Sequence, residues 1–429
     1  MKNLLFLLIF IGIYKYYNCD IFTFPFKRII PNIPPNINDT DFYSIYQNND
    51  IYTSIKVGNP PSKIQLKIKF AQYSLCVRND SLSYDYNKSS TYEPNGKEIT
   101  HYIDYSRAIP SKESFILGKE NKKLDDIHFM LTTNTKYDSD GIFGLRIKEN
   151  DEKTYGNGLM EQLKSKKVIN KDVFFFNWEK NRNDGDLIIG KFPHEIKQFE
   201  DEFPEYQFKR TKIFRQSYDV DYDLDFHSIF FNEKQMKPPQ KVYIRLELGY
   251  IYAPNEFEDL AYDLFFQKHY ISKKCKRNVV NVLYNAYICE DSSDIDITKF
   301  PNIKFYLSDD DYNMTLTYED VFIKKNGKIY FMIIFDKNGR NAFWHLGDVF
   351  IKRNKLVFDV GGKIIGYYDK SVKEDKTPSI VVYIIIISIA GLVILGLLGF
   401  IIYKLLEKKR NKKPYELDDN YDYDSPINA

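Results

Sequence analysis

VGNPPSKIQLKIKFAQYSLCV, residues 57–77, reads as a turn followed by a strand. Gly58-Asn59-Pro60-Pro61 concentrates residues that tolerate positive φ or lock φ near −65°, so the chain reverses there. Ile64, Leu66 and Ile68 then alternate with Lys63, Gln65 and Lys67, the period of a strand with one buried face. The strand runs out on Lys69-Phe70-Ala71. A cation stands at its end.

The same signature recurs along the chain. From about residue 41 to 370, short alternating or aromatic-rich runs are separated by clusters of Gly, Pro, Asn and Asp, the pattern of an all-β fold. Strands are expected over 51–57, 64–69, 114–117, 173–178, 187–189, 241–245, 303–307, 329–335 and 355–359, and short helices over 158–165 and 255–267. So long a β region exceeds what one core usually holds. Two β lobes are therefore expected, 41–200 and 201–370, joined through the charged, Pro-containing stretch 192–205.

The chain has 429 residues, 43% hydrophobic and 28% charged, ordinary values for globular protein. Its 61 basic and 59 acidic side chains nearly cancel, so no nucleic-acid partner is expected. Residues 1–20 place Lys2 before an apolar run over 4–13 and then polar residues, the layout of a signal peptide. Residues 379–403 form an uncharged run of 25, enough to cross a hydrocarbon core of roughly 30 Å. Lys404, Lys408, Lys409, Arg410, Lys412 and Lys413 follow it, which places the tail 404–429 in the cytosol by the positive-inside rule. With 371–378 as a juxtamembrane linker, the expected topology is type I single-pass, in the secretory pathway or at the cell surface, with a lumenal or extracellular ectodomain. Sequons at Asn38, Asn79, Asn87 and Asn313 fit that placement. Of four Cys, Cys19 sits at the expected cleavage boundary, Cys275 and Cys289 are near neighbours and are paired, and Cys76 is left as a buried thiol.

Several stretches follow one another in a fixed order: Tyr52 to Pro61; Asn87-Lys88-Ser89-Ser90-Thr91-Tyr92; Asp140-Gly141-Ile142-Phe143-Gly144-Leu145; Val173-Phe174-Phe175-Phe176 with Gly185 to Gly190; and Phe343 to Phe350 with Val357-Phe358-Asp359 and Ile364-Ile365-Gly366-Tyr367. In order and spacing they resemble the pepsin-like aspartic proteases. The resemblance implies a bilobed all-β fold and two Asp-Thr-Gly loops, one per lobe, whose carboxylates share a proton and activate a water. The family spacing of eleven residues after the turn glycine, Gly58, puts the first acid position on Lys69. Nine residues before Pro254, the second falls on Arg245. The Thr and Gly positions become Phe70 and Ala71 in one loop, Leu246 and Glu247 in the other.

An alternative register puts Glu247 at the second acid position at the cost of a two-residue deletion before Pro254. A lone carboxylate has no partner to hold the complementary proton, and Lys69 nearby would lower its pKa. Two cations facing across a floor repel by about 4 kcal/mol at ~4 Å and an effective dielectric near 20, so two arrangements are open. In one, Glu247 bridges them in a salt-bridged floor; in the other they hold a ligand anion. Tyr105 stands where the family places its flap tyrosine, and His345 stands at a usually apolar position, where a core or supporting role is expected. No metal-ligand spacing or nucleophile motif occurs, and no cofactor is expected.

The resemblance implies an aspartic-type endopeptidase by fold, and the residues at its two loops imply one without catalysis: a membrane-anchored pseudoprotease whose cleft binds peptide or protein. Two alternatives stand beside it, an active endopeptidase with an unrecognised dyad and a surface scaffold or receptor with a vestigial cleft.

Overall fold

The computed structural model describes residues 21–29, 34, 37–47, 50–100, 107–132, 139–147, 158–179, 183–213, 222–236, 240–280, 283–307, 311–336, 343–373 and 380–410. The expected signal segment, Cys19, the flap residue Tyr105 and the tail beyond residue 410 lie outside the described residues. The chain divides into two compact units, Met1–Val372 and Lys373–Ala429.

Among the described residues, the first unit is built on sheets of fourteen, nine and four strands. Strand β1 (Phe22–Ile29) runs through the largest sheet, and Phe22, Phe24 and Phe26 all point into the core. It is followed by helix α1 (Asp39–Gln47), then by β2 (Asp50–Val57) and β3 (Ser62–Lys69), which form an antiparallel hairpin around the Gly58–Pro61 turn. β1 is flanked by β2 on one side and by the strand Asp184–Ile189 on the other. The sequence offered little sign of β1, because this N-terminal segment reads as Pro-rich. Pro25 is nonetheless accommodated there, and its carbonyl accepts the Thr53 hydroxyl at 2.8 Å.

Helix α1 starts on Asn38, whose side-chain oxygen accepts from the Asp41 amide at 2.8 Å. Its Phe42 stacks on Tyr330 with ring centroids 3.5 Å apart, and Tyr43 donates to the Phe331 carbonyl at 2.8 Å. An N-terminal helix is thereby docked on the nine-stranded sheet through aromatic burial and a satisfied hydroxyl.

Two parallel strand pairs position the site. β4 (Gly141–Gly144) lies parallel to β3, with Leu66 opposite Gly141 and Lys69 opposite Gly144. β5 (Gln240–Ile244) lies parallel to β6 (Trp344–Leu346), with Val242 opposite Trp344 and Ile244 opposite Leu346.

The expected elements are found with adjusted ends. The strands Val173–Trp178 and Ile303–Leu307 have the expected bounds. The run 329–335 is interrupted at buried Met332, whose amide donates to the Val321 carbonyl and whose carbonyl accepts from Ile251, leaving strands Lys328–Phe331 and Ile333–Asp336. The strand expected from 355 begins at Val357, because Lys355 closes the helix Asp348–Asn354 in a left-handed conformation, φ 48°. The helix expected over 255–267 continues through a π-helical turn, Tyr262–Phe266, to Ile271. Cys275 and Cys289 are disulfide-bonded and directly opposite one another in an antiparallel pair of strands.

In the second unit, helix α2 (Ile380–Arg410) has 31 residues, and its stretch Ile387–Arg410 is long and apolar enough to cross a membrane by length and composition.

Candidate functional site

β3 and β5 each deliver a loop beneath a parallel neighbour. At the end of β3, Lys69 lies opposite Gly144, and its carbonyl accepts from the Leu145 amide at 2.9 Å. Arg245 follows Ile244, the register partner of Leu346, and donates its amide to the Leu346 carbonyl at 2.8 Å. Gly144 and Gly347 then do the same work. A Cβ on Gly144 would sit 2.5 Å from the Gln72 carbonyl oxygen and 2.7 Å from that of Ser74; one on Gly347 would sit 2.3 Å from that of Leu248 and 3.1 Å from that of Tyr250. Gln72 and Ser74 come three and five residues after Lys69, and Leu248 and Tyr250 come three and five after Arg245. One backbone path is drawn twice. In it Lys69 corresponds to Arg245, Phe70 to Leu246 and Ala71 to Glu247, whereas matching Glu247 to Lys69 would displace each of these contacts by two residues.

The side chains on that path diverge. Phe70 and Leu246 are both buried, and the Phe70 ring meets Phe358 edge-on at 5.0 Å and Tyr222 at 4.8 Å. Glu247 crosses to the other loop, where its Oε1 accepts from the amides of Phe70 at 2.7 Å and Ala71 at 2.9 Å. Phe70 and Ala71 carry no side-chain oxygen to meet these amides, so a carboxylate supplied from the second loop does so, in charge-assisted hydrogen bonds. This connection was missed in the sequence, where Glu247 was considered as a bridge between the cations. Its other oxygen, Oε2, is buried and has no hydrogen-bond partner among the described residues. Tyr222, beside this group, donates to the Leu145 carbonyl. Burial, and then the Glu247 charge, hold its hydroxyl pKa well above the ordinary value, so it stays neutral.

A cavity of about 390 Å³ opens between the loops, lined by Lys69, Ala71, Arg245, Glu247, Leu248, Tyr252, Tyr284 and His345. Among these described residues Glu247 is the single carboxylate. The Arg245 guanidinium lies over the Tyr243 ring, 5.9 Å from its centroid, and the His345 ring stacks on the same tyrosine at 5.0 Å. Burial, and then the Arg245 charge, lower the His345 pKa to about 4, so this imidazole is neutral at neutral pH. Tyr252 packs edge-on against His345 at 5.6 Å and against Tyr284 at 4.8 Å. Burial raises the hydroxyl pKa of both tyrosines.

The structure thus brings Lys69, Arg245, Glu247 and His345 into one cavity. Tyr252 and Tyr284 were not anticipated there, since two tyrosines among 35 carry no local signal of a cleft wall. Tyr105 lies outside the described residues. Asn38, Asn87 and Asn313 are exposed, Asn79 is partly exposed, and Cys76 is buried. Among the described residues no group of three or more His, Cys, Asp and Glu is arranged to hold a metal ion.

The model of the eukaryotic aspartyl protease family matches residues 52–369, and the chain belongs to that family. No curated protein matches it.

Proposed function

We propose that this protein is a membrane-anchored member of the family that no longer hydrolyses peptide bonds and uses its cleft to bind peptide or protein. The observation that carries the reading is the occupancy of the cleft floor. Catalysis in this family needs one ionised and one protonated carboxyl about a shared water, a property of two acids held close together. At the two equivalent points of the repeated backbone path stand Lys69 and Arg245, and the nearby acid, Glu247, is engaged by the amides of Phe70 and Ala71. A single carboxylate held by backbone amides has, among the described lining residues, no second acid with which to share a proton. This weighs against an active enzyme using Glu247. The retained cavity, with aromatic side chains on one wall, weighs against a purely vestigial cleft.

The long apolar helix ending in Lys408, Lys409 and Arg410 supports a single membrane anchor with a cytosolic tail. On that reading the two β lobes and the sequons at Asn38, Asn79, Asn87 and Asn313 face the lumen or the exterior. Immobilised full-length protein, incubated with a mixture of peptides from a digested protein, should retain a subset of them intact by mass spectrometry. Peptides bearing newly cut ends, or no retention at all, would count against the proposal.

A further inference from the structure

Helix α2 does not stop where its apolar stretch stops. The uncharged run 379–403 already has the length to cross a hydrocarbon core, yet the helix continues from Lys404 to Arg410. Those last residues carry Lys404, Lys408, Lys409 and Arg410 against one acid, Glu407, and Lys412 and Lys413 follow in the sequence. All four helical cations are exposed. Glu407 takes Lys404 at 3.1 Å in an exposed pair of the kind that holds little energy, and among the described residues Lys408, Lys409 and Arg410 form no ion pair.

Their placement decides what can neutralise them. At about 100° per residue, Lys408, Lys409 and Arg410 lie roughly 40°, 140° and 240° round the helix from Lys404, so no one face collects the charge. The same residues cover about 9 Å of the axis, close to the depth of one headgroup layer. A protein partner seated on one face would leave the cations of the other faces unmatched. Lipid headgroups surround a spanning helix on every side at this depth. Zwitterionic headgroups bring no net charge, whereas anionic phospholipids attract each nearby Lys or Arg over about a Debye length. The tail acids, Glu416, Asp418, Asp419, Asp422 and Asp424, come later in the sequence, and an anionic surface repels them while the apolar run holds the cations against it.

We infer that the basic end of α2 is a binding site for anionic phospholipids of the cytosolic leaflet, gathered round the helix, with Lys404, Lys408, Lys409 and Arg410 as its contacts. The inference rests on the reading of α2 as a membrane anchor and names the lipid class that this anchor selects.

The test is energy transfer from a donor on the full-length protein, attached through Pro414→Cys, in phosphatidylcholine vesicles. A trace of acceptor-labelled phosphatidylserine or phosphatidylcholine, with the acceptor on the acyl chain, is included. Transfer should report about fivefold enrichment of the serine lipid over the choline lipid round the helix, lost at about 1 M salt, where the Debye length is near 3 Å. Replacing Lys404, Lys408, Lys409 and Arg410 together by Gln should remove most of the enrichment, and replacing the three Lys by Arg should keep it. Equal transfer to both lipids, enrichment that survives the Gln variant or high salt, or enrichment confined to a polyphosphoinositide at matched charge overturns the inference and leaves the anchor reading standing. Flotation of the same vesicles after an alkaline wash tests that reading separately: protein that stays behind overturns the anchor and the inference with it.

Discussion

The two loops at the cleft floor follow the same backbone path and use it in opposite ways. The loop after Lys69 presents amide donors, from Phe70 and Ala71, with no side-chain oxygen of its own beside them; the loop after Arg245 carries the acceptor, Glu247. The backbone likeness is maintained by close approach, Gly144 against Gln72 and Ser74, Gly347 against Leu248 and Tyr250. The side chains are under no such constraint. Packing thus holds two loops on one backbone path, while their side chains differ, one loop supplying amide donors and the other a single acid bonded across to them. The comparison separates what holds the molecule together from what the cleft can do.

The strongest way to probe the backbone half of this comparison is to add the missing Cβ. Gly144→Ala and Gly347→Ala each push a methyl group into backbone carbonyls that cannot move aside cheaply, and each should cost about 3 kcal/mol or more in denaturant unfolding. Comparable losses sharpen the equivalence of the two paths, whereas a negligible loss at either breaks it.

Next in size is the acceptor itself. Glu247→Ala leaves two amides without their partner and should destabilise by about 2–3 kcal/mol, while Glu247→Gln keeps a carbonyl acceptor and should lose about 1 kcal/mol. Lys69→Met, at a partly exposed position that supplies no acceptor, should change stability by less than about 1 kcal/mol. Equal effects at Lys69 and Glu247 would remove the asymmetry between the loops.

A smaller effect is expected from pH. His345 has a folded-state pKa of about 4, below its ordinary 6.5, so the unfolded chain takes up the proton first. Its contribution is constant above about pH 6.5, declines as pH falls toward 4, and is fully lost below that. The loss amounts to about 2 kcal/mol after allowing for the residue's partial exposure. Comparing urea midpoints of the wild type and His345→Leu across this range isolates the slope, which should be shallower in the variant.

Much of this architecture is legible in local pattern. The alternation of Ile64, Leu66 and Ile68 after a Gly-Pro turn marks β3 and its end at Lys69, and Lys69 and Arg245, the residues reached by counting from Gly58 and Pro254, line one cavity. The disulfide was readable because two near-neighbour cysteines can face each other across a hairpin. Other features depend on partners remote in sequence. β1 is a strand because β2 and Asp184–Ile189 flank it, and α1 is anchored by Tyr330 and Phe331, none of which its own Pro-rich surroundings announce. The Glu247 contact joins residues 176 and 177 positions apart, and no periodicity or motif encodes an acceptor for bare amides in another loop.

Turnover tests the central claim most directly. The purified full-length protein, incubated with internally quenched peptide libraries from about pH 3 to 7, should show no cleavage above a blank, with or without a statine-type inhibitor, whose central hydroxyl needs two acids as partner. Restoring Lys69→Asp and Arg245→Asp together should recover at most weak activity, because Phe70, Ala71, Leu246 and Glu247 do not rebuild the loops that orient such a pair. Cleavage by the unmodified protein that is blocked by the statine compound and abolished in Glu247→Gln would contradict the account and make this cleft an active site.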